Sequence, residues 1–479
     1  MIYDVAIIGA GIIGASLAYK LSRYDLSLVV IDRENDPGDE ISMANSAIVH
    51  CGQDPVDGTL KAKLNVAGAK QYEKLCSDLD IKYLKTGAFV VMVSEEQRET
   101  FNQLVTNAKN RGIKYEILDG KEALKQEPNL SVKTIQVLSL PDTAVICPWE
   151  VAITELQVAM KNNTEVKLNT EIKEIKKEDD HFELISDKEV ILAKYVINAA
   201  GIESDHVAEE LEPNDYEITA RKGEYFVLSH NAKDFVHHVI YPIPTAKGKG
   251  VLAVPTVDHN ILFGPNSVAI LDRKGLDTTA TGLDFVRQQL SSTLSNLPYS
   301  DIIRTFAGLR PSVAGKDFII ELSKHDDHFL NLVGIDSPGI ASAPGIADYA
   351  IELLKLPYPL KKEYATKREK VFHFDKLTPQ EKDAYIKQHP EYGKIVCRCE
   401  QISEGEIIQC IKEPLGATSV KGVKKRVRPG MGKCQGGFCE PLVVKILAEQ
   451  LHKPESSILY DQPGTNILFE RKKETSHHE

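Results

Sequence analysis

Residues 3–14 read Tyr3-Asp4-Val5-Ala6-Ile7-Ile8-Gly9-Ala10-Gly11-Ile12-Ile13-Gly14, and this stretch decides the fold. Residues 5–8 are an apolar run of buried-strand character, and three glycines spaced GxGxxG follow without a gap. Residues 15–21 then read as a helix, residues 28–31 as a second apolar strand, and Asp32 closes the unit. Strand, glycine turn, helix, strand and acid, in that order, form the context in which this glycine motif binds a dinucleotide. Gly9 permits the tight turn, Gly11 leaves the backbone bare for a pyrophosphate, and Gly14 lets helix and strand pack closely. The helix N-terminus favours phosphate charge, and Asp32 is placed to accept from a ribose hydroxyl. The fold class is α/β, with a Rossmann-like domain at the start of the chain.

The motif alone does not separate FAD from NAD. No second GxGxxG in strand context follows, as would be expected of a flavoprotein that also binds NADH, so FAD is the expected cofactor. Ser42, Asn45 and Ser46 lie in a polar stretch after the first two strands and are candidate donors to its phosphates. The apolar strand 196–199 ends in Ala200 and Gly201, small residues that let a cofactor lie across the strand end. Gly334, Ser337, Gly339 and Ile340 form a glycine-rich corner feeding a helix, and its amides are candidates for a flavin carbonyl edge. The plainer readings are a strand-to-turn junction and a helix cap. His50 reads either as a base beside the flavin or as an ordinary loop histidine. Arg310, in Gly308-Leu309-Arg310-Pro311, has few charged neighbours in sequence and reads as a clamp on a carboxylate or phosphate, or as half of a structural ion pair.

With 479 residues, 42% of them hydrophobic, the chain can bury the cores of two or three domains. Its 58 Lys and Arg against 69 Asp and Glu leave a formal charge of −11, which argues against nucleic acid as the main partner. A small anionic substrate stays open, since one or two local arginines suffice. No basic-then-apolar leader and no apolar run of membrane-spanning length is present, so the expected location is cytoplasmic, with attachment to the inner face of a membrane through a partner left open. Short strands expected at 223–228, 236–241, 250–254 and 260–263 point to an antiparallel substrate sheet, and 167–176 with 181–185 to a hairpin.

Of eight cysteines, Cys51, Cys76, Cys147 and Cys410 are scattered and read as buried thiols, whereas Cys397, Cys399, Cys434 and Cys439 form two tight pairs. Paired thiols in a chain of this kind bind metal more often than they form disulfides. Neither pair has the C-x2-C spacing common in zinc sites, which favours a [2Fe-2S] cluster with zinc as the alternative. Ser403 and Glu406 make a capping box opening a helix through residue 411, and Gly430, Gly432, Gly436 and Gly437 let the chain curl toward the thiols. Lys424, Lys425, Arg426 and Arg428 either offset cluster charge or form a solvated face.

These motifs bring a family into view. Residues 1–355 resemble the D-amino-acid-oxidase-like flavoproteins, above all L-2-hydroxyglutarate dehydrogenases and the flavin subunit of anaerobic glycerol-3-phosphate dehydrogenase. The likeness rests on the glycine motif, on Asn45, Ser46, His50 and Gly52, on Lys222-Gly223-Glu224-Tyr225, and on the segments 241–244 and 264–266. Residues 395 to about 450 resemble the bacterioferritin-associated-ferredoxin type of [2Fe-2S] domain. The resemblance implies FAD-binding segments at 1–82, 148–220 and 326–355, substrate segments at 83–147 and 221–325, a connector at 356–394, a cluster domain at 395–455 and a tail at 456–479. It implies His50 beside the flavin and Arg310 facing substrate, and it adds Tyr241 to the catalytic set. The expected reaction is oxidation of a C–H bond bearing OH in glycerol 3-phosphate or a 2-hydroxy acid, with electrons leaving through the cluster to a partner subunit or acceptor protein. Amino-acid or amine oxidation is the alternative, and an iron-sulfur scaffold with a vestigial flavin domain the non-enzymatic one.

Overall fold

The computed structural model describes residues 1–211, 213, 215–244 and 250–469. Residues 1–370 form one compact unit and residues 371–479 a second. The division falls inside the stretch expected to be a connector.

The first unit is built on two sheets. An eight-stranded sheet runs in the order 172–177, 182–186, 190–198, 2–8, 28–31, 165–167, with 329–333 also pairing to 190–198 and 319–322 joining at 329–333. Its centre is parallel: Ile8 stands opposite Ile31 on one side and Asn198 on the other. Parallel strands covered on both faces need continuous apolar sequence, and Val5, Ala6, Ile7, Val29 and Val30 are all fully buried. The helices Ile12–Leu21, Pro148–Lys161, Leu60–Leu79 and Gly339–Leu354 belong to this half.

The expected 167–176 strand is two pieces. Residues 165–167 pair with Leu28–Ile31, Asn169 turns the chain with positive φ, and the hairpin begins at Ile172. The second, nine-stranded sheet contains the four expected strands, beginning at Thr219, Val239, Leu252 and Ile261. It is mixed, not wholly antiparallel: Val239–Pro242 runs parallel to Ala88–Met92. More than a hundred residues separate these strands, enough for the crossover that parallel pairing requires. Strand Ile302–Ser312 lies along Thr219–Leu228 for almost its whole length.

The second unit carries helices Pro379–Gln388, Glu404–Lys412, Val420–Val427 and Glu440–Leu451 around a small apolar core that includes Ile407, Val423 and Leu447. The Ser403–Glu406 capping box is present. Of the expected tail, residues 470–479 lie outside the described residues. No helix among the described residues is long and apolar enough to cross a membrane.

Candidate functional site

The first unit holds a cleft, open to solvent, of about 2120 Å3. Gly9, Gly11, Asp32, Ser42, Asn45, Ser46, Ala200, Gly201, Ser337, Gly339 and Ile340 line it, together with His50 and Arg310. Gly14, Gly334 and Tyr241 stand behind its wall. A Cβ on Gly14 would lie 1.9 Å from the Gly9 carbonyl oxygen, and one on Gly9, whose φ is +111°, would lie 2.4 Å from that of Ala199. These two glycines let strand, turn and helix close together. At Gly11 a Cβ would meet only Ser42 Oγ, at 3.3 Å, so the backbone there is bare toward the cavity.

Several expected donors are engaged in building the turn. Asn45 donates both amide hydrogens to the carbonyls of Ile41 and Ser42 and accepts from Ala47 N–H at 2.7 Å, so its side chain shapes the loop and has no hydrogen left for a phosphate. Ser42 Oγ accepts from Ile12 N–H at 2.9 Å, which keeps its own hydrogen for donation. Ser46 Oγ faces Tyr225 Oη at 3.2 Å. Asp32 accepts from Ala10 N–H at 2.5 Å and from Glu34 N–H at 2.8 Å, so it organises the glycine turn as well as lining the cavity. Burial raises its carboxyl above the ordinary range against those two bonds. Burial and the nearby Glu40 and Asp32 push Glu34 up to about 7.

His50 follows the short strand Ile48–Val49 and is held from both ends. Asn65, fully buried, donates to the His50 carbonyl at 2.7 Å, and His50 Nδ1 lies 2.9 Å from Tyr241 Oη. Burial raises the Tyr241 phenol well above its ordinary value, so it remains an O–H. Tyr241 does not line the cavity itself and is linked to it through His50. On the facing strand, Arg310 donates to the Asn266 carbonyl at 3.4 Å, and no carboxylate pairs with it among the described residues. A Cβ on Gly223 would lie 2.9 Å from Arg310 Nη2, and one on Gly308 only 1.9 Å from the Ala44 carbonyl. The glycines thus seat Arg310 flat on its neighbour strand and press that strand against the loop leading to His50. Lys222 lines the same cavity, its ammonium 2.9 Å from the Asp277 carbonyl.

In the second unit, all four paired cysteines are free thiols, as are the other four. Cys399 Sγ is 3.7 Å from Cys434 Sγ, and Cys439 contacts Cys397. Among the described residues no three of these thiols lie within 4.8 Å of one another. One tetrahedral zinc, with bonds of about 2.3 Å, would draw all four sulfurs within about 4 Å of each other. Two separated pairs suit a two-metal cluster instead. Burial opposes ionisation of Cys434, but the Cys399 thiol and the N–H groups of Gly436, Phe438 and Gly437 lower it below the ordinary thiol value. A Cβ on Gly432 would lie 2.3 Å from that of Cys399, so only glycine lets the two arms meet. Lys424 and Lys425, read as offsetting cluster charge or as a solvated face, are buried in helix Val420–Val427, which excludes the second reading for them, and Arg428 pairs with Glu400 at 3.1 Å.

Residues 4–353 match the family model described as FAD dependent oxidoreductase. The chain belongs to this family. Residues 395–449 of this FAD dependent oxidoreductase match the BFD-like [2Fe-2S] binding domain. It is 38% identical over 470 residues to a glycerol 3-phosphate dehydrogenase of Caloramator mitchellensis, covering 97% of this chain and 98% of the relative. It is 32% identical to a glycerol 3-phosphate oxidase of Mycoplasma genitalium, covering 74% of this chain and 94% of that one. The structure of L-alpha-glycerophosphate oxidase from Mycoplasma pneumoniae with FAD bound superposes with a TM-score of 0.74 at 28% identity, covering 78% of this chain and all of that one. Glycine oxidase from Bacillus cereus, at 18% identity and TM-score 0.65, shares the fold alone.

This oxidoreductase is glycerol-3-phosphate dehydrogenase-like, and its two matched regions are FAD-binding and [2Fe-2S]-binding. The residues fit both groups: the bare backbone at Gly11 and the helix N-termini at Ile12 and Gly339 suit FAD, and the two thiol pairs suit the cluster. Sequence reasoning missed Asn65, which carries no motif. It noted Gly223 only by resemblance, because a strand glycine shows its purpose only when the neighbouring strand is known.

Proposed function

We propose that the protein is a dehydrogenase of glycerol 3-phosphate, oxidising its secondary alcohol to a ketone. The observation that carries this reading is Arg310, a guanidinium that pairs with no acid among the described residues and lines the cavity that His50 also lines. A half-buried cation lining a cavity without a protein counter-ion is matched to an anion that arrives with the substrate. The relatives named for glycerol 3-phosphate along nearly their whole length support phosphate as that anion. When bound, FAD supplies a two-electron acceptor and the cluster a one-electron carrier, an arrangement suited to handing electrons outward.

The chain's own residues do the rest. Arg310 binds the phosphate and fixes the alcohol carbon, which is positioning work. His50 takes the hydroxyl proton on Nε2, which requires Nδ1–H to donate to Tyr241 Oη. Cys397, Cys399, Cys434 and Cys439 hold the cluster. The segments 1–82, 148–220 and 326–355 serve FAD, 83–147 and 221–325 the substrate, and 395–455 the cluster, with an electron acceptor outside the chain and a cytoplasmic setting in which free thiols persist.

The test is anaerobic bleaching of the flavin band near about 450 nm across glycerol 3-phosphate, L-2-hydroxyglutarate, other hydroxy acids and amino acids. Fast bleaching by glycerol 3-phosphate alone is expected. Bleaching by L-2-hydroxyglutarate instead selects the second reading, which the 29% identity to a Dictyostelium discoideum L-2-hydroxyglutarate dehydrogenase supports. Bleaching by amino acids only sinks both.

A further inference from the structure

We propose that the solvent-facing edge of the cluster cradle is the docking face for an acidic one-electron carrier protein. The inference rests on the reading that the four cysteines hold a cluster, and on three observations about this unit. First, the cradle is lopsided. Cys397 and Cys439 are each 1% exposed, whereas Cys399 is exposed and Cys434 half-buried, so one edge alone faces water. Second, that edge is apolar at its centre. Phe438, whose N–H points at Cys434, is 83% exposed, and Leu442 one turn on is 46% exposed. A large aromatic left in water beside a redox site costs solubility and has no packing role within its own unit.

Third, the rim is cationic. Arg398 sits between the two cysteines of one arm and Lys433 directly before Cys434 of the other; both are exposed and neither makes an ion pair among the described residues, while the nearby Glu400 is paired with Arg428 and Glu440 lies against Gly436. The charge of the unit points the same way. Residues 371–479 hold 17 Lys and Arg against 15 Asp and Glu, net +2, while residues 1–370 hold 41 against 54, net −13. An apolar centre with a cationic rim, set on a unit that is positive within an acidic chain, fits a partner whose redox edge is apolar and ringed by carboxylates. Such a carrier takes one electron from the reduced cluster and, if a flavodoxin, one proton from water onto its FMN.

The probe is an acidic flavodoxin, mixed in a stopped-flow device with holoenzyme pre-reduced by dithionite, at several salt concentrations. Dithionite makes this test independent of the substrate, so failure of the glycerol 3-phosphate reading would leave it intact. The wild-type second-order rate constant should fall with salt. Arg398→Glu/Lys433→Glu should lower it at low salt by on the order of tenfold or more and turn the salt slope positive. A change of cluster potential would scale the rate equally at all salt concentrations, which separates it from docking. Phe438→Ser should lower the rate severalfold at every salt concentration with iron content unchanged. Rates within twofold of wild type in both variants, or an unaltered salt slope, overturn the proposal. So does a double variant in which flavin-to-cluster transfer slows while the flavodoxin step does not, since the face would then serve the chain's own FAD-binding part.

Discussion

Replacing Tyr241 by Phe removes one oxygen from a fully enclosed position and should be read in the pH profile. The Tyr241 Oη–His50 Nδ1 distance is 2.9 Å, and the rings, 5.9 Å apart and tilted by 45°, meet through that bond and not through stacking. A neutral hydrogen bond of this kind contributes about 1 kcal/mol, and one from a charged donor about 1.5–3 kcal/mol. The imidazolium thus gains roughly 1 kcal/mol more from Tyr241 than neutral imidazole does, equivalent to about 0.7 pH unit. Losing it should move the acid limb of kcat/KM to lower pH by about that amount. The buried Nδ1–H also loses its acceptor, which disfavours the tautomer with Nε2 free and should cost on the order of 10- to 100-fold in kcat/KM. The assay is dye-coupled oxidation of glycerol 3-phosphate between about pH 5.5 and 9. A profile superimposable on wild type, or a limb displaced to higher pH, would refute the assignment of His50 as the base tuned by Tyr241.

Arg310→Ala should lower kcat/KM by about 10²–10³, mostly through KM, with flavin content unchanged; steady-state kinetics on flavin-loaded enzyme decides it. Gly223→Ala should displace the Arg310 guanidinium that a Cβ would touch at 2.9 Å and raise KM severalfold without changing the visible spectrum. Gly432→Ala should lose cluster absorbance while flavin-to-dye turnover persists, because the new Cβ would lie 2.3 Å from that of Cys399. Glu155, buried against helix Ile12–Leu21 with its carboxyl pushed up to about 8 by burial, gives a stability test. Its folded value lies above its unfolded one, so its contribution is complete below about pH 4.5 and is lost as pH rises to about 8. Glu155→Gln should therefore raise Tm by more at pH 8 than at pH 5, and a gap that narrows with pH would contradict this.

Local order carried most of the fold. The strand-turn-helix run from Val5 to Ile31 and the Ser403 capping box are specified by neighbours in sequence, so they could be read directly. What the chain does with non-local partners could not. Lys424 and Lys425 look like a solvated face in sequence, yet they are buried once helix Val420–Val427 packs into its unit. The pairing of Val239–Pro242 with Ala88–Met92 reverses the expected strand direction because register depends on a distant segment. In the site, residue types were legible and their tasks less so. The polarity of Asn45 suggests a phosphate donor, whereas its amide nitrogen lies against two carbonyls of its own loop. Resemblance alone brings Tyr241 into the catalytic set, and only the structure puts it behind His50.

One chain holding both a flavin that accepts substrate electrons and a cluster that receives them next is the central claim. Anaerobic titration of the holoenzyme with glycerol 3-phosphate, followed by absorbance for the flavin and by electron paramagnetic resonance for the cluster, tests this directly. The prediction is flavin bleaching together with the signal of a reduced [2Fe-2S] centre that requires Cys397, Cys399, Cys434 and Cys439. Full bleaching with no such signal, or zinc in place of iron in the active protein, would contradict it.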